Sequence, residues 1–374
     1  MLSNTKIIQE VLKENSILFK NMISDIKFNK KYSNLKKYKT IVIIGMGGSI
    51  LGTKAIYSFL KHKIKKKLIF LDNLDENYLK QIKKNKNLSK SLFLIISKSG
   101  NTDETILNMY FLKNFLKHNN TIILAENRDN FLRKIAIKNK HFFVNHNKLI
   151  GGRYSVLSNV GMLPAYLMDL KIENFKKNLR KLINNKKFLL KSLNFVKKFK
   201  SKKKNILIFF NYIPELNDFL LWVQQLFAES LGKNQKGFIP VISNAPKDHH
   251  SLLQLYLDGP KDKIFYVFSS EKKSSIKTKS TFFDQGMQHL NKKKYNTIIN
   301  SQKNAFLTAL KSKKIGFREI KIKKFDEDTL GKLFLSFIIE TILLGKIMNI
   351  NPFDQPAVEQ VKILTKKFLK LKKS

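Results

Sequence analysis

Two polar side chains one helical turn apart, followed by a pair of histidines, carry the clearest chemical signal in this sequence. Gln225 and Glu229 lie in an apolar helical pattern that stops at the Leu-Gly pair 231–232, so they share one helix face. A segment marked by glycine and proline then leads to His249 and His250. A carboxylate and an imidazole from neighbouring elements can form an acid/base pair. The alternative is a solvated acid near a helix end and an ordinary loop histidine.

A glycine-rich loop, GMGGSILG at 45–52, follows a short β-rich run and opens a helix. Glycines let the backbone approach a ligand closely, and a helix N-terminus favours an anion, so Gly48 and Ser49 are candidate substrate contacts. Ile50 stands at the third glycine of the dinucleotide fingerprint, and the loop lacks the Gly-Lys-Ser/Thr of a Walker loop. Anion binding and tight packing of strand on helix both remain open for it.

A second loop, SKSGNTDET at 97–105, follows the apolar run LFLII. Asn101 and Glu104 fit a capping box, which accounts for those two residues only. The remaining hydroxyls and the ammonium group, together with free backbone N–H groups, would hold a phosphate monoester at a helix N-terminus. The candidate phosphate ligands are Ser97, Lys98, Ser99 and Thr102.

The periodicity of the chain predicts an α/β fold with two doubly wound parallel sheets of the flavodoxin-like kind. Residues 5–20 form an N-terminal helix, 155–200 are helical, and two helices at 329–346 and 355–371 follow the second sheet. We predict an N-terminal domain at 1–170, a second domain at 171–350 and a helical arm at 351–374. The predicted strands are 40–44, 67–71, 92–96, 121–124 and 141–144, then 206–210, 238–242, 263–268 and 316–322.

Composition excludes several classes of protein. The chain has no cysteine, no apolar run long enough to cross a bilayer and no targeting segment, so we expect a cytoplasmic protein without membrane contact. The net charge of +45 suggests nucleic-acid binding. However, only five of the cations are arginine, and the lysines are spread along the whole chain. We therefore predict no specific nucleic-acid partner, and polyanion binding only at low salt.

Six motifs occur in the order found in the glucose-6-phosphate isomerases, and the chain resembles that family from about 41 to 362. Besides the two loops, they are GGRYSVLS at 151–158, ESLGK at 229–233, HSLLQ at 250–254 and FDQPAVEQVK at 353–362. The resemblance implies two sugar-isomerase (SIS) domains and a metal-free, cofactor-free interconversion of glucose 6-phosphate and fructose 6-phosphate. It also implies a homodimer, in which the histidine reaches the active site of the neighbouring subunit.

The resemblance also implies a role for each matching residue. Glu229 matches the base, and Arg153 the arginine beside the reacting carbons. Ser97, Lys98, Ser99 and Thr102 match the residues that hold the substrate phosphate. The ring-opening pair matches His250 and Lys362, and the glutamines that contact substrate match Gln225 and Gln355. His250 is preferred to His249 because it keeps the family spacing to Gln254. A surface arginine engaged in an ion pair is the alternative for Arg153.

Two alternatives to glucose-6-phosphate isomerase remain open. The SKSGNTDET loop resembles that of dual glucose/mannose-6-phosphate isomerases, which would broaden the substrate range. A sugar-phosphate-binding SIS regulator without catalysis is the other, although the joint presence of the four candidate catalytic residues argues against it. The chain departs from the family at Ala357, where a glycine is usual, and this adds one methyl group in a turn.

Overall fold

The structure, a computed structural model, describes residues 3–200, 204–279 and 282–371. Residues 1 and 2 of the predicted first domain and 372–374 of the predicted arm lie outside the described residues. Within them, nine strands are β1 Thr40–Gly45, β2 Lys67–Leu71, β3 Leu92–Ile96, β4 Thr121–Ala125, β5 Phe142–Asn145, β6 Ile206–Asn211, β7 Ile239–Asn244, β8 Lys263–Ser270 and β9 Phe317–Ile322. Each matches a predicted strand to within two residues.

The helices cover both faces of the sheets and form most of the 146–200 region. They are α1 Asn4–Glu14, α2 Ser16–Ile23, α3 Lys30–Ser33, α4 Leu51–Phe59, α5 Glu76–Lys83, α6 Asp103–Phe111, α7 Phe131–Lys138 and α8 Asn159–Leu167. They continue with α9 Ile172–Lys176, α10 Leu179–Ile183, α11 Lys186–Lys200, α12 Asn217–Leu231, α13 Leu253–Asp258, α14 Tyr295–Ser312, α15 Glu327–Met348 and α16 Pro356–Leu371. Within the described ranges, no helix combines the length and the apolar character needed to span a membrane.

Both sheets are parallel and doubly wound, which confirms the predicted fold class. The first has the order β2-β1-β3-β4-β5 and the second β7-β6-β8-β9. In each sheet the chain leaves its first strand in one direction and later returns on the other side, so the carboxyl ends of β1 and β3, and of β6 and β8, border a crevice. The glycine loop follows β1 and the SKSGNT loop follows β3, which places the two loops side by side.

The two sheets share one hydrophobic core. It runs from α1 through both sheets to α15, and α4 packs directly on α12 across the boundary. Ser58 of α4 hydrogen-bonds Asp218 of α12. This contact brings the loop before α4 against the face of α12 that carries Gln225. The N-terminal helix α1 packs on α11 and α15, so the halves interlock, and the domain boundaries stay a prediction.

The predicted single helix at 5–20 is wrong in one respect, because it breaks at Asn15 into α1 and α2. Asn15 donates its side-chain amide to the carbonyl of Val11 at 2.8 Å. Its backbone has φ −109° and ψ 19°, outside the helical region. Asparagine competes in this way with the regular helix ladder, and the apolar period alone does not reveal it.

Candidate active site

The C-terminal half of α12 carries the acid that the sequence singled out. Gln225 and Glu229 lie on one face as predicted, and the amide of Gln225 donates to Oε1 of Glu229 at 2.8 Å. The helix is anchored by Trp222, which is fully buried and donates its indole N–H to the carbonyl of Arg153 at 3.1 Å. The side chain of Glu229 remains 32% exposed. One carboxylate oxygen is therefore held by the helix while the group still faces open space.

Arg153 lies at the centre of a cluster of polar side chains, the arginine cluster, which also contains Gln225, Glu229, Ser230 and Gln355. It sits in a 3-10 turn, is only 3% exposed, and donates to Oε2 of Glu229 at 3.1 Å and to Oγ of Ser230 at 2.7 Å. The alternative of a surface arginine is thus wrong. A fixed guanidinium beside a carboxylate in a partly dry site supplies preorganised positive charge.

The FDQ segment after α15 completes the arginine's contacts. The guanidinium donates to the side-chain oxygen of Gln355 and, at 2.7 and 3.0 Å, to the carbonyls of Pro352 and Asp354. The Pro352 carbonyl also accepts the Tyr154 hydroxyl at 3.0 Å. Burial raises the pKa of Tyr154 to about 12, so its phenol stays a neutral donor. Three distant parts of the chain are locked together here by hydrogen bonds to one side chain.

The glycine loop approaches this cluster more closely than any other residue type would allow. A Cβ on Gly48 would lie 2.3 Å from the carbonyl carbon of Gly152 and 2.4 Å from the nitrogen of Arg153. Gly47 has φ +51°, and a Cβ there would lie 2.5 Å from the amide nitrogen of Gln225. The packing interpretation of the loop therefore holds for these glycines. Substrate contacts of Gly48 and Ser49 stay a prediction.

The SKSGNT loop brings its hydroxyls together at the crevice. Ser97 is buried and its hydroxyl lies 2.8 Å from that of Thr102. Thr102 caps α6 by position, but its side chain accepts no bond from the helix. Lys98 turns away, toward the carbonyl of Lys148 at 3.1 Å and the carboxylate of Glu126 at 3.7 Å. Two hydroxyls and an uncapped helix N-terminus thus face the same place, an arrangement suited to an anion.

The predicted capping box is wrong. The oxygen of the Asn101 side chain accepts the N–H of Phe131 at the start of α7, at 2.9 Å, and the cap residue of α6 is Thr102. The hydroxyl of Ser99 accepts the N–H of Asn101 at 3.2 Å, within the loop itself. Local spacing suggested an intrahelical bond, whereas a neighbouring element competes for the same amide.

The two adjacent histidines have different surroundings. Nε2 of His249 and the Tyr212 hydroxyl share a hydrogen bond of 2.7 Å, and the imidazole stacks on Phe210. Burial lowers the pKa of His249. His250 is exposed and lies outside the arginine cluster of its own chain. His249 is thus bonded to a residue next to the second sheet, whereas the exposed His250 can contact a group of another chain.

Lys362 lies on α16, where it pairs with Glu359 at 2.6 Å and does not join the arginine cluster. The helix has no buried residue. Exposed apolar side chains form a stripe along it in steps of three or four residues, about one helical turn each: Val358, Val361, Leu364, Phe368 and Leu371. Of the predicted site residues, the chain by itself therefore unites Arg153, Gln225, Glu229 and Gln355 and leaves His250 and Lys362 apart.

Comparison with known proteins identifies the family of this chain. A family model described as phosphoglucose isomerase matches residues 5–374. The chain belongs to the phosphoglucose isomerase family. A glucose-6-phosphate isomerase of Methanocaldococcus jannaschii is 34% identical, with 97% of this chain and 92% of the relative covered. One from Campylobacter jejuni is 31% identical, with 89% and 86% covered. The resemblance drawn from the six motifs is confirmed.

Solved structures support the fold of this phosphoglucose isomerase family member. The hypothetical protein TT0462 of Thermus thermophilus superposes with a TM-score of 0.86 at 23% identity, covering 98% of this chain and 94% of that one. A glucose-6-phosphate isomerase of Chlamydia trachomatis gives 0.77 at 16% identity, covering 97% and 85%. At these identities the likeness concerns the fold alone, which is the one predicted.

Sequence reasoning missed the residues that hold Arg153 in this family member. Ser230 accepts from its guanidinium, Tyr154 shares that serine at 2.8 Å, and Trp222 binds its backbone carbonyl. Each had a signal available: Ser230 and Tyr154 lie inside the ESLGK and GGRYS motifs, and Trp222 is the only tryptophan in the chain. Among the described residues, no three His, Asp or Glu side chains are grouped so as to hold a metal ion.

A buried histidine behind the SKSGNT loop makes stability depend on pH. His146 is 2% exposed, its Nδ1 lies 3.0 Å from the Asn147 carbonyl, and its Nε2 has no partner among the described residues. Burial lowers its pKa from the ordinary 6.5 to about 4, and nearby Lys98 adds to this while Glu126 opposes it. Between these two pKa values His146 is protonated in the unfolded chain but neutral in the folded chain. The unfolding free energy therefore decreases as the pH falls through this range.

When the pH is lowered from about 7.5 to about 5, we expect the parent to lose about 2 kcal/mol more unfolding free energy than His146→Asn. The measurement is the urea midpoint of parent and variant at both values. His62→Asn, at an exposed position, is the control and should behave as the parent. Equal acid sensitivity of the parent and His146→Asn would contradict the assignment.

Proposed function

We propose that this chain interconverts glucose 6-phosphate and fructose 6-phosphate. The observation that carries the proposal is the 3.1 Å contact between the buried guanidinium of Arg153 and the partly exposed carboxylate of Glu229. It provides a base and a fixed positive charge at one place, with Gln225 and Gln355 as further polar groups at its edges. Its relatives are named glucose-6-phosphate isomerases, which agrees with this chemistry.

The reaction moves a proton from C2 to C1 of the open-chain sugar through an enediol, while the C2 hydroxyl loses a proton and the C1 oxygen gains one. Glu229 removes the C2 proton and returns it to C1, and its side chain is 32% exposed. The oxygen that becomes negative in the enediolate needs a positive charge that is already in place. Arg153 meets this need because its five hydrogen bonds leave it no freedom to turn away. We expect no cofactor, since the step transfers only a proton.

We assign the phosphate of the sugar to the SKSGNT loop. Ser97 and Thr102 present adjacent hydroxyls at the N-terminus of α6, with Lys98 and Ser99 in the same turn. Gly48 and Ser49 belong to the neighbouring loop and are proposed as further contacts. Binding energy from this remote group would hold the open chain in register with Glu229.

We propose a homodimer in which His250 of one protomer completes the site of its partner. His250 is exposed and lies outside the cluster in its own chain, so among the described residues the cluster of one chain contains no histidine to act as the acid in ring opening. The exposed apolar stripe of α16 also requires a covering surface, and we propose that a second copy supplies it. Lys362 is then the cation that works with His250 on the ring oxygen.

We place the enzyme in the cytoplasm, at the isomerase step of glycolysis and gluconeogenesis. A chain with no cysteine can form no disulfide bond, so an oxidising compartment would not stabilise it. Both sugar phosphates are intracellular metabolites.

The direct test is isomerisation of fructose 6-phosphate in a buffer containing a metal chelator. Turnover to glucose 6-phosphate would support the proposal, and comparable turnover to mannose 6-phosphate would extend it to the dual specificity suggested by the SKSGNT loop. Tight binding of fructose 6-phosphate without turnover by a folded dimer would instead identify a sugar-phosphate-binding regulator.

Subunit complementation tests the shared site. Glu229→Gln and His250→Asn should each be inactive as homodimers. After the two are unfolded together and refolded, half of the dimers are mixed, and each mixed dimer holds one intact site, so activity should return to about one quarter of the parent's. A mixture that stays as inactive as its components would show that His250 serves its own chain.

A further inference from the structure

The second sheet repeats the topology that places the SKSGNT loop on the first. β1 lies between β2 and β3, and β6 lies between β7 and β8. In both sheets the crevice between the two diverging connections opens at the carboxyl ends of the strands, where doubly wound folds bind ligands. In the first sheet the Ser/Lys loop follows β3. In the second, the segment SSEKKSS at 269–275 covers the end of the equivalent strand β8 and the five residues after it.

A cavity of about 420 Å³ occupies this second crevice. Its walls are the turn after β6 at 212–215, the end of β8 with the segment after it at 269–276, the first turns of α14 and, after β9, Phe325. None of these residues belongs to the cluster around Arg153. The cavity is within the size range of small-molecule sites and has no role in the proposed reaction.

Positive charge borders the cavity on several sides. Lys303 is 7% exposed and pairs with Glu319 at 2.8 Å. Lys272 lies 3.8 Å from Glu215, and Lys273 forms no ion pair in the described part of the chain. The N-terminus of the 18-residue helix α14 also opens here, and its cap residue Lys294 offers no side-chain acceptor. Positive groups thus exceed negative ones around the space.

The rest of the lining divides into polar and apolar parts. Hydroxyl groups lie on the β8 side at Ser270, Ser274 and Ser275, next to the lysines. Tyr295 and Ile299 of α14 contribute apolar surface to the lining. An anion would find donors among the serines and lysines, and a short carbon skeleton would find an apolar surface on α14.

We infer that the crevice between β6 and β8 binds a small phosphate monoester at a site separate from the isomerase centre. Lys272 and Lys273 at the open rim hold the phosphate together with the serine hydroxyls. The organic part packs on the apolar wall of α14. The pairing of Lys303 with Glu319 keeps the inner end of the cavity neutral, so the phosphate binds at the rim.

Three isoleucines make this testable in the full chain. Ile213, Ile276 and Ile299 line the crevice, while Ile50 and Ile96 adjoin the two loops of the first sheet. In protein labelled at the isoleucine methyl groups, titration with glycerol 3-phosphate should shift the three crevice signals in a saturable way. Glycerol, which lacks the charge, should shift none of them.

The double variant Lys272→Ala/Lys273→Ala should weaken binding at the crevice signals about tenfold. Lys186→Ala/Lys187→Ala on α11 removes the same charge at exposed positions elsewhere and should bind as the parent does. Thr102→Ala should alter only the signals near Ile50 and Ile96, which separates this site from the proposed catalytic one. Crevice signals that stay fixed, or that shift equally in the Lys272→Ala/Lys273→Ala protein, would overturn the inference.

Discussion

Glu229→Gln is expected to lower kcat by about 10³-fold or more, with KM little changed. The amide keeps the shape of the side chain, and its oxygen can still accept one of the present hydrogen bonds. It cannot take a proton from carbon, so the step from C2 to C1 loses its base. Because the SKSGNT loop, the proposed phosphate site, follows β3 and is separate from α12, substrate binding should survive.

Two measurements check this prediction. Steady-state kinetics give kcat and KM, and NMR in deuterated water follows solvent exchange at C2 of glucose 6-phosphate, which reports the proton transfer itself. Glu76→Gln, on the exposed surface of α5, is the matched control and should keep both rates. If exchange at C2 continued at the parent rate in Glu229→Gln, another group would have to be the base.

Arg153→Lys is expected to lower kcat by about 10²- to 10³-fold and the unfolding free energy by about 2–4 kcal/mol. A lysine ammonium has three donors on a flexible stem, whereas the guanidinium spans Ser230, Glu229 and the FDQ segment at once. The carbonyls of Pro352 and Asp354 would lose their charged donor inside a nearly closed site. Both the placement of the positive charge beside Glu229 and the anchor of the C-terminal segment would be weakened.

Ser230→Ala separates the two effects. It removes the Nε contact and one partner of the Tyr154 hydroxyl but keeps the guanidinium beside Glu229. We expect it to cost about 1 kcal/mol of stability and less than tenfold in kcat. Urea unfolding and kinetics at temperatures where every variant is folded provide the comparison. A catalytic loss in Ser230→Ala as large as that in Arg153→Lys would mean that Arg153 acts only through packing.

Local pattern was sufficient for the strands, because parallel strands buried on both faces appear as apolar runs bounded by turns. The runs at 92–96 and 206–210 occur in β3 and β6 with almost the predicted ends. The pairing of Gln225 with Glu229 was likewise predictable, since helical spacing alone puts them on one face.

Contacts between distant segments were beyond the reach of local pattern. Asn101 fitted a capping box but bonds Phe131, thirty residues away. Arg153 could have been a surface residue by composition, yet the packing of Gly48 on its backbone and the carbonyl of Pro352 hold it inside. A side-chain donor can bond any acceptor that the fold brings near it, and sequence separation does not reveal which acceptors are near.

By itself, the sequence determined the two-sheet architecture and the family, and it supplied candidate residues for proton transfer and phosphate binding, because these depend on residue type and short-range spacing. Tertiary structure alone decided that Arg153 meets Glu229 and Gln355, that His249 is bonded to Tyr212 while His250 is exposed, and that α16 lies uncovered. Each of these depends on how elements far apart in the chain pack, where burial and hydrogen-bond geometry select one partner from several.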